Sequence, residues 1–175
     1  MRKLFLVASF CMLLGLTACG SDEKVISQDS QSVTQTSKEE NGYVFTYNGV
    51  EVQIDADVEN YITKLGEPAS YYESPSCAFD NLDKFYTYYG FEIDTYYSNE
   101  KDLVLGVVFL DDTVSTTEGI CIGDAKEKVQ TVYGEPTEKT DNSATYKKDN
   151  MKLVFIFQND VVAAIEYKSL VLETQ

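Results

Sequence analysis

Two segments of this chain, Asp55 to Pro68 and Gly123 to Pro136, repeat one pattern: a short amphipathic stretch closed by Gly-Glu-Pro. In the first, Val58, Tyr61, Ile62 and Leu65 stand at i, i+3, i+4 and i+7, which puts them on one face of a helix. In the second, Ala125, Val129, Val132 and Tyr133 do the same, and Asp124 followed by Glu127 reads as a capping box. Gly66 and Gly134 fall where a helix ends on a left-handed residue, and Pro68 and Pro136 prevent its continuation. The triplets are therefore helix stops rather than ligand loops.

Each helix is followed by runs rich in β-branched and aromatic residues: 84–89, 91–97 and 102–110 in the first copy, 143–148, 151–157 and 161–168 in the second. Upstream, YVFTYNGVEVQID alternates on both sides of Asn48-Gly49, a dipeptide suited to a type I′ hairpin turn. The expectation is a single α+β domain over 43–175. It would comprise an N-terminal hairpin and two tandem helix-plus-antiparallel-meander repeats, about 43–112 and 113–175, with the helices on one face of the sheet. The first copy is the longer, and its surplus is placed in the loop around ESPSCAFDNLD.

That order resembles the tandem-repeat fold of β-lactamase-inhibitor-protein-like domains and the single unit of small outer-membrane-assembly lipoproteins of the SmpA/OmlA type. More closely, 45–167 resembles a family of Gram-positive lipoproteins with no assigned activity. The resemblance is carried by Tyr47-Asn48-Gly49-Val50, Leu65-Gly66-Glu67-Pro68, Ser76-Cys77-Ala78-Phe79, Asp111-Asp112, Thr116 to Ile120, Ile122-Gly123-Asp124 and Tyr133-Gly134. It implies a fold and an address, and no reaction.

The N-terminus supports the same address. Met1-Arg2-Lys3 precedes an apolar run from Leu4 to Leu16, a secretory signal pattern. Thirteen residues of helix span about 20 Å, short of the bilayer's roughly 30 Å core. Leu16-Thr17-Ala18-Cys19 resembles a lipobox, which makes 1–18 a lipoprotein signal peptide and Cys19 the thiol that takes the lipid. Two acyl chains suffice for stable anchoring where one does not. Residues 19–42 are polar and nearly free of branched aliphatics, so they read as a disordered tether with a reach of about 25 Å. The expected location is the extracytoplasmic face of the cell membrane.

Composition removes several function classes. Without the leader, 12 Lys+Arg face 29 Asp+Glu, a net charge of −17 that repels phosphate backbones, so no nucleic-acid partner is expected. The chain has no histidine, which excludes Ser-His and Cys-His catalysis and His-ligated zinc. Of four cysteines, Cys11 leaves with the leader and Cys19 is lipidated. Cys77 and Cys121 remain, either as a disulfide or as two buried free thiols.

Ser98-Asn99-Glu100-Lys101 matches Ser-x-x-Lys but sits in a polar turn without partner motifs, so it is read as chance. Asp55, Asp57 and Glu59 lack the glycine and distal glutamate of a calcium loop, and with Asp80, Asp83, Asp111 and Asp112 they are assigned to solvated surface. No cofactor, metal site or enzymatic activity is expected.

The tyrosines suggest recognition instead. Strict alternation puts Leu103, Leu105, Val107 and Phe109, with Val161, Ala163, Ile165 and Tyr167, on the core face. The opposite face, with Tyr96, Val104, Val108 and Val162, is still apolar: either the N-terminal hairpin or the C-terminal tail covers it, or it binds a protein or cell-envelope ligand. The alternative is a carboxylate-based ion-binding or hydrolytic domain.

Overall fold

A computed structural model describes residues 42–173. The signal peptide, Cys19 and nearly all of the tether lie outside them. The hairpin comes first: β1 (Phe45–Tyr47) and β2 (Val50–Val52) pair antiparallel around Asn48 and Gly49, whose φ angles of 49° and 79° meet the demand of the turn. Helix α1 (Glu59–Leu65) leads to β3 (Ser70–Pro75), β4 (Leu82–Thr87), β5 (Phe91–Ser98) and β6 (Lys101–Phe109). Helix α2 (Lys126–Tyr133) leads to β7 (Glu138–Thr140), β8 (Ser143–Lys148), β9 (Met151–Gln158) and β10 (Val161–Ser169), and Val171–Glu173 forms a 3-10 turn.

The α+β expectation of two helix-plus-meander repeats is corrected. The protein is mostly β: 48% of the described residues are strand and 14% helix. All eight strands after the hairpin form one antiparallel sheet in the order β3-β4-β5-β6-β10-β9-β8-β7, continuous across the boundary expected near residue 112. The helices, of seven and eight residues, are too short to form a layer of their own, and each has one buried residue, Tyr61 or Val129. Periodicity overstated them because an apolar stripe marks a helix without saying how much of the core it supplies. β3 and β7, the two edge strands, went unread because neither carries an apolar alternation.

One face of the sheet holds the core. Phe91, Ile93, Val107, Phe109, Leu153, Phe155, Ile165 and Tyr167 are all at most 3% exposed there. The hairpin covers its centre. Phe45 packs edge-on against Phe91 with ring centroids 4.8 Å apart and tilted against Phe109 at 5.2 Å, and Tyr47 packs tilted against Phe91 at 4.8 Å. Such aromatic pairs add about 0.5–1.5 kcal/mol each beyond their buried area.

The helix ends also differ in detail. Gly66 and Gly134 have positive φ, but ψ values of −164° and −150° place them in an extended region that only glycine occupies freely, not in the left-handed helical one. The capping box does not form: Ala125 is the N-cap, and Asp124 Oδ2 instead accepts from the Cys121 backbone N–H at 2.9 Å and from Lys128 Nζ at 2.7 Å. Val132, assigned to the apolar face of α2, is 40% exposed.

Candidate functional site

Two β-bulges decide which side chains reach the outer face. β5 pairs Asp94 with Gly106 and then Thr95 with Val104, so Leu105 is an extra residue on β6. β10 pairs Val162 with Phe157 and then Ala164 with Ile156, so Ala163 is extra on β10. Each bulge shifts the alternation by one residue and sends the preceding part of the strand to the opposite face.

The expected partner-binding set is corrected on this account. Val104 and Val162, placed outside by strict alternation, are 0% and 2% exposed and belong to the core, whereas Val161 and Ala163, expected inside, are exposed. Tyr96 is 5% exposed: Phe79 of the β3–β4 loop stacks on its ring at 4.8 Å, and its hydroxyl donates to Asp55 Oδ1 at 3.0 Å. Burial first, and the neighbouring carboxylate second, hold the phenol far above its ordinary pKa. Of the four residues only Val108 remains half-exposed and outside the core cluster.

Around Val108 the outer face is ordered in rows. Glu92, Val108, Glu166 and Val154 align across β5, β6, β10 and β9, and the next row runs Asp94, Gly106, Lys168 and Lys152. Thr87 and Phe85 on β4 extend the two rows toward the β3 edge. Val108 and Val154 thus alternate with the carboxylates of Glu92 and Glu166, Thr87 donating to Glu92 Oε2 at 2.6 Å and Lys168 to Glu166 Oε2 at 2.9 Å.

Asp94 is the unusual member. Burial first, and the Glu92 charge second, push its carboxyl up to about 7, with Lys168 opposing the rise. Its Oδ1 has no hydrogen-bond partner. The lysines of this face, in contrast, are paired: Lys147 with Glu138 and Glu173, Lys152 with Glu173, Lys168 with Glu166.

Three clefts lie elsewhere. One of about 220 Å³ opens between α2 and β8, floored by Val129, Ala144, Tyr146 and Phe157 and rimmed by Lys126 and Lys139. Two shallower ones flank the Phe79 loop and the Asp55–Asn150 contact, and none of the three includes Asp94.

Cys77 and Cys121 are both free. Cys77 is exposed in the β3–β4 loop, and Cys121 precedes α2 with its thiol 3.5 Å from Asp124 Oδ2. The disulfide reading is therefore corrected, and so is the alternative of two buried thiols. The other motifs have structural occupations. Asn99 and Glu100 form the β5–β6 turn with positive φ, and Lys101 pairs with Asp57 at 2.9 Å. Asp55 accepts from Tyr96 and Asn150. Among the described residues no group of three or more His, Cys, Asp or Glu side chains is arranged to hold a metal ion, and no helix is long and apolar enough to cross a membrane.

No family model matches the chain, and no curated protein matches it. The solved structures it is similar to include two from Gram-positive bacteria. One is a cysteine-rich secretory protein from Staphylococcus aureus subsp. aureus Mu50, at 11% identity and TM-score 0.46, over 66% of this chain and 43% of that one. The other is an extracellular protein containing a SCP domain from Bacillus anthracis str. Ames, at 13% identity and TM-score 0.49, over 86% of this chain and 50% of that one. The chain spans about half the length of each.

Proposed function

We propose that this protein is a non-catalytic binding module, held at the extracytoplasmic face of the membrane by lipid on Cys19, that engages a protein or cell-envelope ligand through the outer sheet face around Val108. The observation that carries the reading is the row Glu92, Val108, Glu166, Val154: valines alternating with carboxylates, half-exposed at the centre of an eight-stranded sheet. Recognition surfaces combine apolar contacts with charges that a partner can complement. The signal pattern and lipobox supply the address, and the net charge of −17 leaves the lipid rather than the protein surface to hold the membrane.

A hydrolytic reading has one favourable observation, a carboxyl titrating near pH 7 beside Glu92, as a general acid requires. None of the three clefts described above includes that carboxyl, and a hydrolase encloses its substrate in one.

Two variants of the full chain test the proposal in separate parts. Cys19→Ala is expected to release the protein from washed membranes, and retention would refute the anchor. Val108→Lys, flanked by Glu92 and Glu166 that can accommodate the cation, is expected to abolish ligand capture with an unchanged melting temperature. Undiminished capture would refute the face.

A further inference from the structure

The two edges of the sheet are unlike. β7 is three residues long and carries Glu138 and Lys139, a short charged edge of the kind that resists pairing. β3 is six residues long, Ser70-Tyr71-Tyr72-Glu73-Ser74-Pro75, pairs with β4 on one side only, and leaves Tyr71 and Tyr72 exposed by 48% and 63%. It has no lysine and no bulge, and its one acid lies opposite Lys84 of β4. An edge strand of this length leaves backbone donors and acceptors free for another strand.

The β3 sequence is complementary to itself in one antiparallel register. With Tyr72 on a two-fold axis, Tyr72 meets Tyr72, Tyr71 of each copy meets Glu73 of the other, and Ser70 meets Ser74. Within one chain the Tyr71 hydroxyl donates to Glu73 Oε2 at 2.6 Å, so this donor and acceptor can be exchanged between copies without loss. On the outer face Tyr72 already stacks on Phe85 with ring centroids 6.0 Å apart, and the axis would extend that pair into a row of four rings. The single carboxylate in the strand faces a hydroxyl rather than its own copy, which suits association in a chain whose net charge without the leader is −17.

We infer that a second copy of this chain pairs antiparallel along β3, centred on Tyr72, and joins the two eight-stranded sheets into one. The contact is isologous and closed, so it stops at a dimer, and β7 offers no second site for propagation. A pairing of one six-residue strand per copy is small for a stable interface. Confinement of both copies to one membrane would raise their effective concentration and favour the pairing.

The test uses the full chain in its own membrane, in a Cys77→Ser background that removes the exposed thiol. Ser70→Cys and Ser74→Cys are made in separate copies, which leaves Tyr71, Tyr72 and Glu73 intact. Mild oxidation is expected to give a disulfide dimer when the two variants are co-expressed and none when either is expressed alone, since only the mixed pair brings thiols opposite each other. Tyr72→Lys in both copies should eliminate the cross-link. Absence of the mixed cross-link, with both thiols reactive to maleimide, would overturn the inference. Equal cross-linking by Ser70→Cys alone would also overturn it, because random collision has no register. Membrane confinement rests on the proposed anchor at Cys19, which the Cys19→Ala wash tests by itself; ligand capture by the Val108 face does not enter this readout, so the binding face and the dimer can fail separately.

Discussion

A β-carbon placed on Gly106 would stand 2.8 Å from the Tyr167 carbonyl oxygen, so β6 and β10 approach as closely as they do because residue 106 has no side chain. This contact lies at the middle of the sheet, where the strands that follow α1 meet those that follow α2. The obstructing atom belongs to the backbone and cannot turn aside. Gly106→Ala should therefore destabilise the domain by about 1–3 kcal/mol, the usual cost of overpacking. Chemical denaturation reads this as a lower midpoint, and an unchanged midpoint would mean that the central strands can separate at no cost.

Tyr96 gives a second prediction, because the structure makes it part of the packing rather than part of a surface. Tyr96→Phe removes the hydrogen bond to Asp55 and should cost about 1 kcal/mol. Tyr96→Ala also empties the space beneath Phe79 and should cost about 3–5 kcal/mol. Near-wild-type melting of the alanine variant would return Tyr96 to the surface.

Asp94 predicts a pH dependence of defined sign. Its carboxyl titrates at about 7 in the folded chain and near the ordinary 3.8 when unfolded, so the native state binds the extra proton between those values. Stability should thus fall as pH rises from about 4 to about 7 and then level off. Asp94→Asn, which stays neutral, should stabilise the protein at pH 8 by about 1–2 kcal/mol after solvent screening and change little at pH 4. Thermal melts at the two pH values decide it, and equal effects at both would contradict the burial of this carboxyl.

Gly134 is the fourth case. At φ 75° and ψ −150° it has nothing within 4 Å of where a β-carbon would go, so any penalty at this position is conformational rather than steric crowding. Gly134→Val should destabilise by about 1–3 kcal/mol. A wild-type denaturation midpoint would show that the chain leaves α2 by another route.

What could be read from the sequence follows from these residues. Asn48-Gly49 set the hairpin, and runs such as Ser143–Lys148 became strands at the expected bounds, because turn chemistry and period-two alternation are local properties. The bulges at Leu105 and Ala163 were illegible, since neither residue type demands a bulge and the shift depends on a partner strand far along the chain. That one-residue slip moved Val104 and Val162 into the core and left Val108 outside. The pKa of Asp94 was equally hidden, because it arises from strands packed around an aspartate that alternation alone reads as solvated. A signal was present nonetheless: Glu92, Asp94, Glu166 and Lys168 alternate along two strands with no polar residue between, the mark of one charged face.

The most direct test of the account concerns that face. A photo-cross-linking side chain is introduced at Val108 on the outer row and, in a separate protein, at Val132 of α2, which is 40% exposed. Both full-length chains are irradiated in the envelope of the producing cell. The account predicts a discrete adduct from position 108 and none from position 132. No adduct from 108, or the same adduct from 132, would contradict it.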